Sequence, residues 1–283
     1  VVETLHGVRV ADPYRWLEDL DSAETADWVR RQNEVTSAFL EDIPERAAIR
    51  ARLQRLWDHE RWDVPWKRGS AYFYRRNDGL QNQSPLYVTD DLARAGRILL
   101  DPNGLTADGT VALGPISVSR DGSRLAYGLQ EAGSDWITWK VRDVATGADL
   151  DDRIEWSKFS GAAWAHDGSG FYYGAYDPPA EGQALEGANY EQRLWFHRLG
   201  TPQSADRLVF SDPEHRERGF GGHVSDDGRF LVISVWEGTA RENRLYYQDL
   251  VTGGAVVRLL DERDASYEFV GNDGRTFYVL TDR

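Results

Sequence analysis

The chain has 283 residues, 41% hydrophobic, 28% charged and 12% aromatic, a composition that excludes a disordered or fibrous protein. With 33 Lys and Arg against 47 Asp and Glu, the net charge of −14 repels phosphate backbones and anionic lipid, so no nucleic acid and no membrane surface is expected as a partner. The absence of Cys rules out a disulfide framework, a thiolate metal site and a Cys nucleophile, and no apolar run is long enough to span a bilayer.

Residues 1–6 lack the basic start, apolar core and cleavage site of a signal peptide. A cytoplasmic location is therefore expected, with a periplasmic one the alternative if an export signal preceded Val1. The first sixty or so residues read helical. Asp21-Ser22-Ala23-Glu24 has the form of a capping box, and Trp28, Val35 and Phe39 follow at helical spacing. Pro44 suits the first turn of a second helix with Ile49, Leu53, Leu56 and Trp57 on one face.

From about residue 62 the period changes to short aromatic or β-branched runs separated by Gly, Asp and Asn turns. Asp121-Gly122, Asp167-Gly168, Asp227-Gly228 and Asp273-Gly274 sit in similar surroundings, 46, 60 and 46 residues apart, and Lys67-Arg68-Gly69 begins a weaker earlier copy. Asp-Gly between two strands predicts a two-residue type I′ hairpin. A second turn recurs inside the unit, ending at Thr146-Gly147 and Thr252-Gly253. Four antiparallel strands in about 45–50 residues make a β-propeller blade. The fold class expected is mainly β: two N-terminal helices over 1–61, then an incomplete propeller over 62–283. Its blades fall near 62–105, 110–155, 156–210 and 219–260, with 265–283 beginning a fifth. The sequence stops in mid-repeat and is expected to be part of a longer polypeptide.

No catalytic set is evident. There is no Gly-x-Ser-x-Gly elbow, and Gly168-Ser169-Gly170 lies in a predicted hairpin turn. His6, His59, His166, His197, His215 and His223 form no metal-ligand pair, and each reads as a surface or turn residue. Gly219-Phe220-Gly221-Gly222 leads into a strand rather than a helix, which argues against a phosphate loop. No metal and no cofactor is expected.

A specific resemblance runs along the chain. Asp12-Pro13-Tyr14-Arg15-Trp16-Leu17-Glu18-Asp19 resembles the start of the prolyl oligopeptidase family. The likeness continues, in family order, through Asn77-Asp78-Gly79-Leu80-Gln81-Asn82-Gln83, Lys158-Phe159-Ser160-Gly161, His197-Arg198-Leu199-Gly200-Thr201 and Trp236-Glu237-Gly238. It implies a serine peptidase in which a seven-bladed propeller caps an α/β-hydrolase domain. The Ser, Asp and His of that second domain, absent from this chain, would cleave short proline-containing peptides after proline, so these 283 residues alone would be inactive. It further implies that the N-terminal helices pack on the hydrolase domain, and that the whole is a monomer. By motif position Phe159 corresponds to an aromatic substrate-binding wall, Thr239 to a smaller lining residue and Phe220 to a further apolar one. Trp236 stands where the family often has an Arg that holds a substrate carbonyl, which an indole cannot do in the same way. Two other readings remain open: a stand-alone propeller binding module, and an oligopeptidase B-like enzyme preferring basic residues.

Overall fold

Strand β1 (Val2–Leu5) turns at Gly7, whose φ of +81° suits a residue without Cβ, and pairs with β2 (Val8–Ala11). Arg15 then ties this hairpin to the next turn, donating to both carboxylate oxygens of Glu3 at 3.0 and 2.8 Å and to Asp12 at 2.8 Å. Ser22 caps helix α1 (Ala23–Glu41) by accepting the Thr25 N–H at 3.1 Å. Helix α2 (Arg46–Trp57) follows Pro44 and Glu45. The apolar residues of the two helices, Val35, Phe39, Ile49, Leu53 and Leu56 among them, are exposed.

The computed structural model describes residues 1–180, 184 and 187–283, and divides them between His59 and Glu60 into a helical unit and a β unit. In the β unit the first sheet comprises β3 (Arg61–Trp62) and β4 (Trp66–Arg68), both paired with β5 (Ala71–Asn77), then β6 (Leu86–Thr89) and β7 (Arg97–Leu100). The second runs β8 (Val111–Val118), β9 (Arg124–Glu131), β10 (Ile137–Asp143) and β11 (Asp149–Ser157) in order. The third comprises β12 (Ala163–Trp164), β13 (Gly170–Ala175), β14 (Arg193–Arg198) and β15 (Arg207–Phe210), and Ser157 opposite Ala175 joins it to the second. The fourth is β16 (Arg218–Val224), β17 (Phe230–Glu237), β18 (Arg244–Asp249) and β19 (Val257–Leu260), and the hairpin β20 (Tyr267–Asp273) and β21 (Thr276–Thr281) follows it. Sheets of successive antiparallel strands, each entered by its inner strand and left by its outer one, are propeller blades.

The core lies between blades, and the two-residue period of strands produces it. Along β17, Leu231, Ile233 and Val235 point to the third blade and meet Tyr172, Leu194 and Phe220, while Phe230 and Val232 point the other way to Ala265 and Tyr267. A strand buried on both faces thus reads as an unbroken apolar run. Phe73, Leu86, Leu125 and Tyr127 fill the space between the first two blades. Trp139, Ile154, Trp164 and Phe171 fill that between the second and third, where Trp164 Nε1 also donates to the Ser117 carbonyl at 3.0 Å.

The Asp-Gly turns differ from the expected type I′ form, which needs positive φ at two successive residues. Only the glycines are left-handed, at +78°, +70° and +74° for Gly122, Gly168 and Gly228. Each Gly N–H closes a turn onto the residue three before it, Gly122 to Ser119 at 2.9 Å and Gly228 to Ser225 at 2.8 Å. The Asp carboxylates explain the preference: Asp121, Asp167 and Asp227 each accept the N–H two residues on at 3.0 Å.

Candidate functional site

The inner strands of the second, third and fourth blades and β20 run into Asp-Gly turns, and that of the first into the Gly69 turn, so these turns mark one pole of the β unit and the inner-strand starts mark the other. Phe159 lies at the second pole, on the connection from β11 to β12. That connection is held from several sides. Buried Ser157 accepts from Trp139 Nε1 at 3.0 Å and donates to the Gly174 carbonyl at 2.7 Å. Ser160 Oγ accepts the Gly174 N–H at 2.7 Å. Buried Gln192 donates to the Lys158 carbonyl at 2.7 Å and accepts the Phe220 N–H at 2.6 Å.

Held between these anchors, Phe159 takes a φ of +52° and is 52% exposed. A bulky residue in the left-handed region costs roughly 1–2 kcal/mol, and the surrounding hydrogen bonds maintain it. An exposed aromatic ring on an over-determined loop can meet an apolar group without a prior rearrangement of its backbone. Trp156, also left-handed at +59°, meets Trp136 edge to face at 5.5 Å, and Lys158 Nζ lies 5.0 Å from the Trp136 ring.

Gln192 brings the start of β16 to the same place, and with it Trp236, which pairs with Gly219 across β16 and β17. The indole covers Gly219 so closely that a Cβ there would stand 2.3 Å from Trp236 Cε2. Replacing Gly219 with Ala is therefore expected to displace the ring and cost about 1–3 kcal/mol. A double-mutant cycle checks this by urea unfolding: the cost should fall by about 1 kcal/mol or more when Trp236 is already Ala.

Thr239 lies in the exposed turn after Gly238, at the same end of β17. Phe220 requires a correction. At 1% exposure it packs edge to face on Phe210 at 5.2 Å within the core of the third and fourth blades, which leaves no ring surface to line a site. The structure thus gathers Phe159, Trp236 and Thr239 on one rim and assigns Phe220 to the core beneath it.

Behind Trp236 lies a charged network that sequence reasoning missed. Glu237 accepts from Arg218 Nε at 2.9 Å, Arg244 Nη1 at 2.6 Å and Arg263 Nη1 at 2.8 Å. Arg218 also donates to Asp212 at 2.7 Å. Burial alone would raise the Glu237 pKa, but the Arg218 hydrogen bond and the Arg244 charge bring it below its ordinary value. His197 is a second correction, since it is completely buried between Asp152 and Asp206 rather than at the surface. Among the described residues no group of three His, Asp or Glu is placed to hold a metal ion. No nucleophile and base are paired on the rim among the described residues.

Sheets of antiparallel strands packed face to face define a β-propeller domain. The chain belongs to the family described as the prolyl oligopeptidase N-terminal beta-propeller domain, which matches residues 1–283. It is 37% identical over 281 residues to a prolyl endopeptidase of Elizabethkingia meningoseptica, across 99% of this chain and 39% of that protein. Among solved structures, one from a study of two prolyl endopeptidases and their inter-domain dynamics is 41% identical, with a TM-score of 0.73, and covers 99% of this chain and 40% of its own. A prolyl oligopeptidase B of Galerina marginata, bound to a 35-residue hydrolysis and macrocyclization substrate, is 26% identical with a TM-score of 0.84, over 97% of this chain and 41% of its own. The chain spans about two fifths of the length of the curated relatives it matches, at 39–41% for the first three.

Proposed function

We propose that this chain is the propeller part of a serine-type prolyl oligopeptidase, which cleaves short peptides on the carboxyl side of proline, and that it governs which peptides reach the catalytic residues. In this reading the catalytic Ser, Asp and His lie on an α/β-hydrolase domain, and the exposed apolar side chains of α1 and α2 form a face for that domain to cover. The observation that carries the reading is the match to prolyl endopeptidases across 99% of the chain, joined to the exposed Phe159 on the rim.

Phe159 then serves the peptide residues ahead of the proline. Substitution Phe159→Ala in the whole enzyme should raise KM roughly tenfold, about 1.4 kcal/mol of lost contact, for a peptide with several residues before proline. For a substrate with proline alone KM should hold within about twofold. Steady-state kinetics on the two substrates distinguishes the cases, and equal changes for both would remove Phe159 from substrate binding. An enzyme that turned over arginine substrates and not proline ones would overturn the assigned specificity.

A further inference from the structure

The repeat places one variable residue at the same position in successive blades, immediately before the Asp-Gly pair: Arg120, His166 and Asp226, with Arg68 before Gly69 in the first blade. The turns carrying them converge at the pole opposite Phe159. The Gly69 N–H donates to the Arg120 carbonyl at 3.0 Å, and a Cβ on Gly69, whose φ is +56°, would lie 2.0 Å from the Asp121 carbonyl oxygen. The Gly228 turn seats against the His166 ring, where a Cβ would stand 2.5 Å from Cγ. Arg120 Nη1 reaches from the second blade to Asp226 Oδ1 of the fourth at 3.8 Å. With Lys67 and His223 these four side chains line an open cavity of about 560 Å³ bordered by the inner strands of four blades.

The cavity's charge opposes that of the chain. Arg68 and Arg120 line the cavity with a single carboxylate, Asp226, in a protein of net charge −14, while the Lys67 ammonium lies 5.3 Å from the Tyr72 ring. A concave site lined by one sign of charge concentrates the opposite sign within it. The Arg120–Asp226 pair is long, and its members are 53% and 103% exposed, so it holds Arg120 weakly and another carboxylate can replace it. His223 has its pKa lowered, by loss of water first and by Arg68, against the opposing charge of Asp226, which favours a neutral ring that donates or accepts beside the cations.

We propose that this mouth is a binding site for peptide carboxylates, in which Arg68 and Arg120 grip an acidic peptide and Asp226 occupies the carboxylate's place in the free protein. The planar guanidinium fork suits a carboxylate in a way that a point charge does not. The site is distinct from the Phe159 rim. They lie at opposite ends of inner strands such as β16, whose seven residues span about 23 Å at roughly 3.3 Å each.

The test is a calorimetric titration of the full chain with a tetrapeptide ending in two glutamates, set against the amidated tetrapeptide with glutamines in their place. Because it reads binding and not turnover, its outcome is independent of the peptidase reading. The acid should bind roughly tenfold tighter than the amide in about 50 mM salt, and the preference should collapse in about 500 mM. The preference should vanish in Arg68→Glu/Arg120→Glu, persist in part in Arg68→Lys/Arg120→Lys, and increase in Asp226→Asn. All three positions are exposed, so an unchanged melting temperature is expected for each variant. Equal binding of the two peptides, binding of neither, or a preference that survives the double charge reversal would each overturn the proposal. So would displacement of the acid by equimolar inorganic phosphate, which would make the mouth a general anion site.

Discussion

Substitution His197→Ala is expected to cost the β unit about 3–5 kcal/mol, a fall in Tm of about 10 °C at roughly 2–4 °C per kcal/mol for a unit of this size. The imidazole is completely buried, with Nδ1 2.7 Å from Asp206 and Nε2 2.9 Å from Asp152, whose side chains are 2% exposed. Asp152 also accepts the Gly200 N–H at 2.6 Å and Asp206 the Tyr173 hydroxyl at 2.6 Å. Because both ring nitrogens face carboxylates, both must donate, and only the imidazolium does so. Alanine leaves two buried carboxylates without their shared cation.

The pH dependence of this contribution has a definite sign. Burial by itself disfavours the imidazolium, but the hydrogen bonds to Asp206 and Asp152 outweigh it and raise the His197 pKa above its ordinary 6.5. A raised folded pKa means that the native state holds its proton more tightly than the unfolded chain. The associated stability is therefore complete below about pH 6.5 and declines as pH rises through the folded pKa. Thermal unfolding of wild type and His197→Gln between about pH 6 and about pH 9 measures it. The difference in Tm between them should be largest at the acid end and shrink toward the alkaline end. A constant difference would show that folding does not raise the pKa of the ring.

The propeller was legible because its signal is local and repeated. The Asp-Gly turns carry their own hydrogen bonds within a few residues, and runs such as Phe230-Leu231-Val232-Ile233 record burial on both faces of a strand. The type I′ assignment failed because Asp121, Asp167 and Asp227 use their carboxylates to cap the turn, which a dipeptide signal does not reveal. Phe159 stood out through its motif, yet its left-handed backbone and its anchoring by Gln192, 33 residues further on, arise only from tertiary packing. Phe220 illustrates the same limit from the other side. Alternation along β16 determines which neighbour faces the core, and three surrounding glycines hide that alternation. His197 meets one partner nine residues away and the other 45, and no spacing rule pairs residues so far apart.

The second large effect is expected at Glu237. Its two oxygens hold Arg218, Arg244 and Arg263, and the first two arginine side chains are only 5% and 11% exposed. Arg263, at 42% exposure, is screened by water and adds little, so the cost of Glu237→Ala follows from the buried pair of guanidinium groups, about 3–5 kcal/mol. Since the Glu237 pKa lies below its ordinary 4.5, the stability it supplies is present above that value and is lost as pH falls through the folded pKa. Acid unfolding followed by circular dichroism should therefore show a shallower loss in Glu237→Gln than in wild type. The amide keeps the shape of the side chain and removes the charge. Trp236 precedes Glu237 on β17, so releasing the guanidinium groups should also loosen the rim. If Glu237→Gln lost stability in acid as steeply as wild type, the network would act through packing rather than charge.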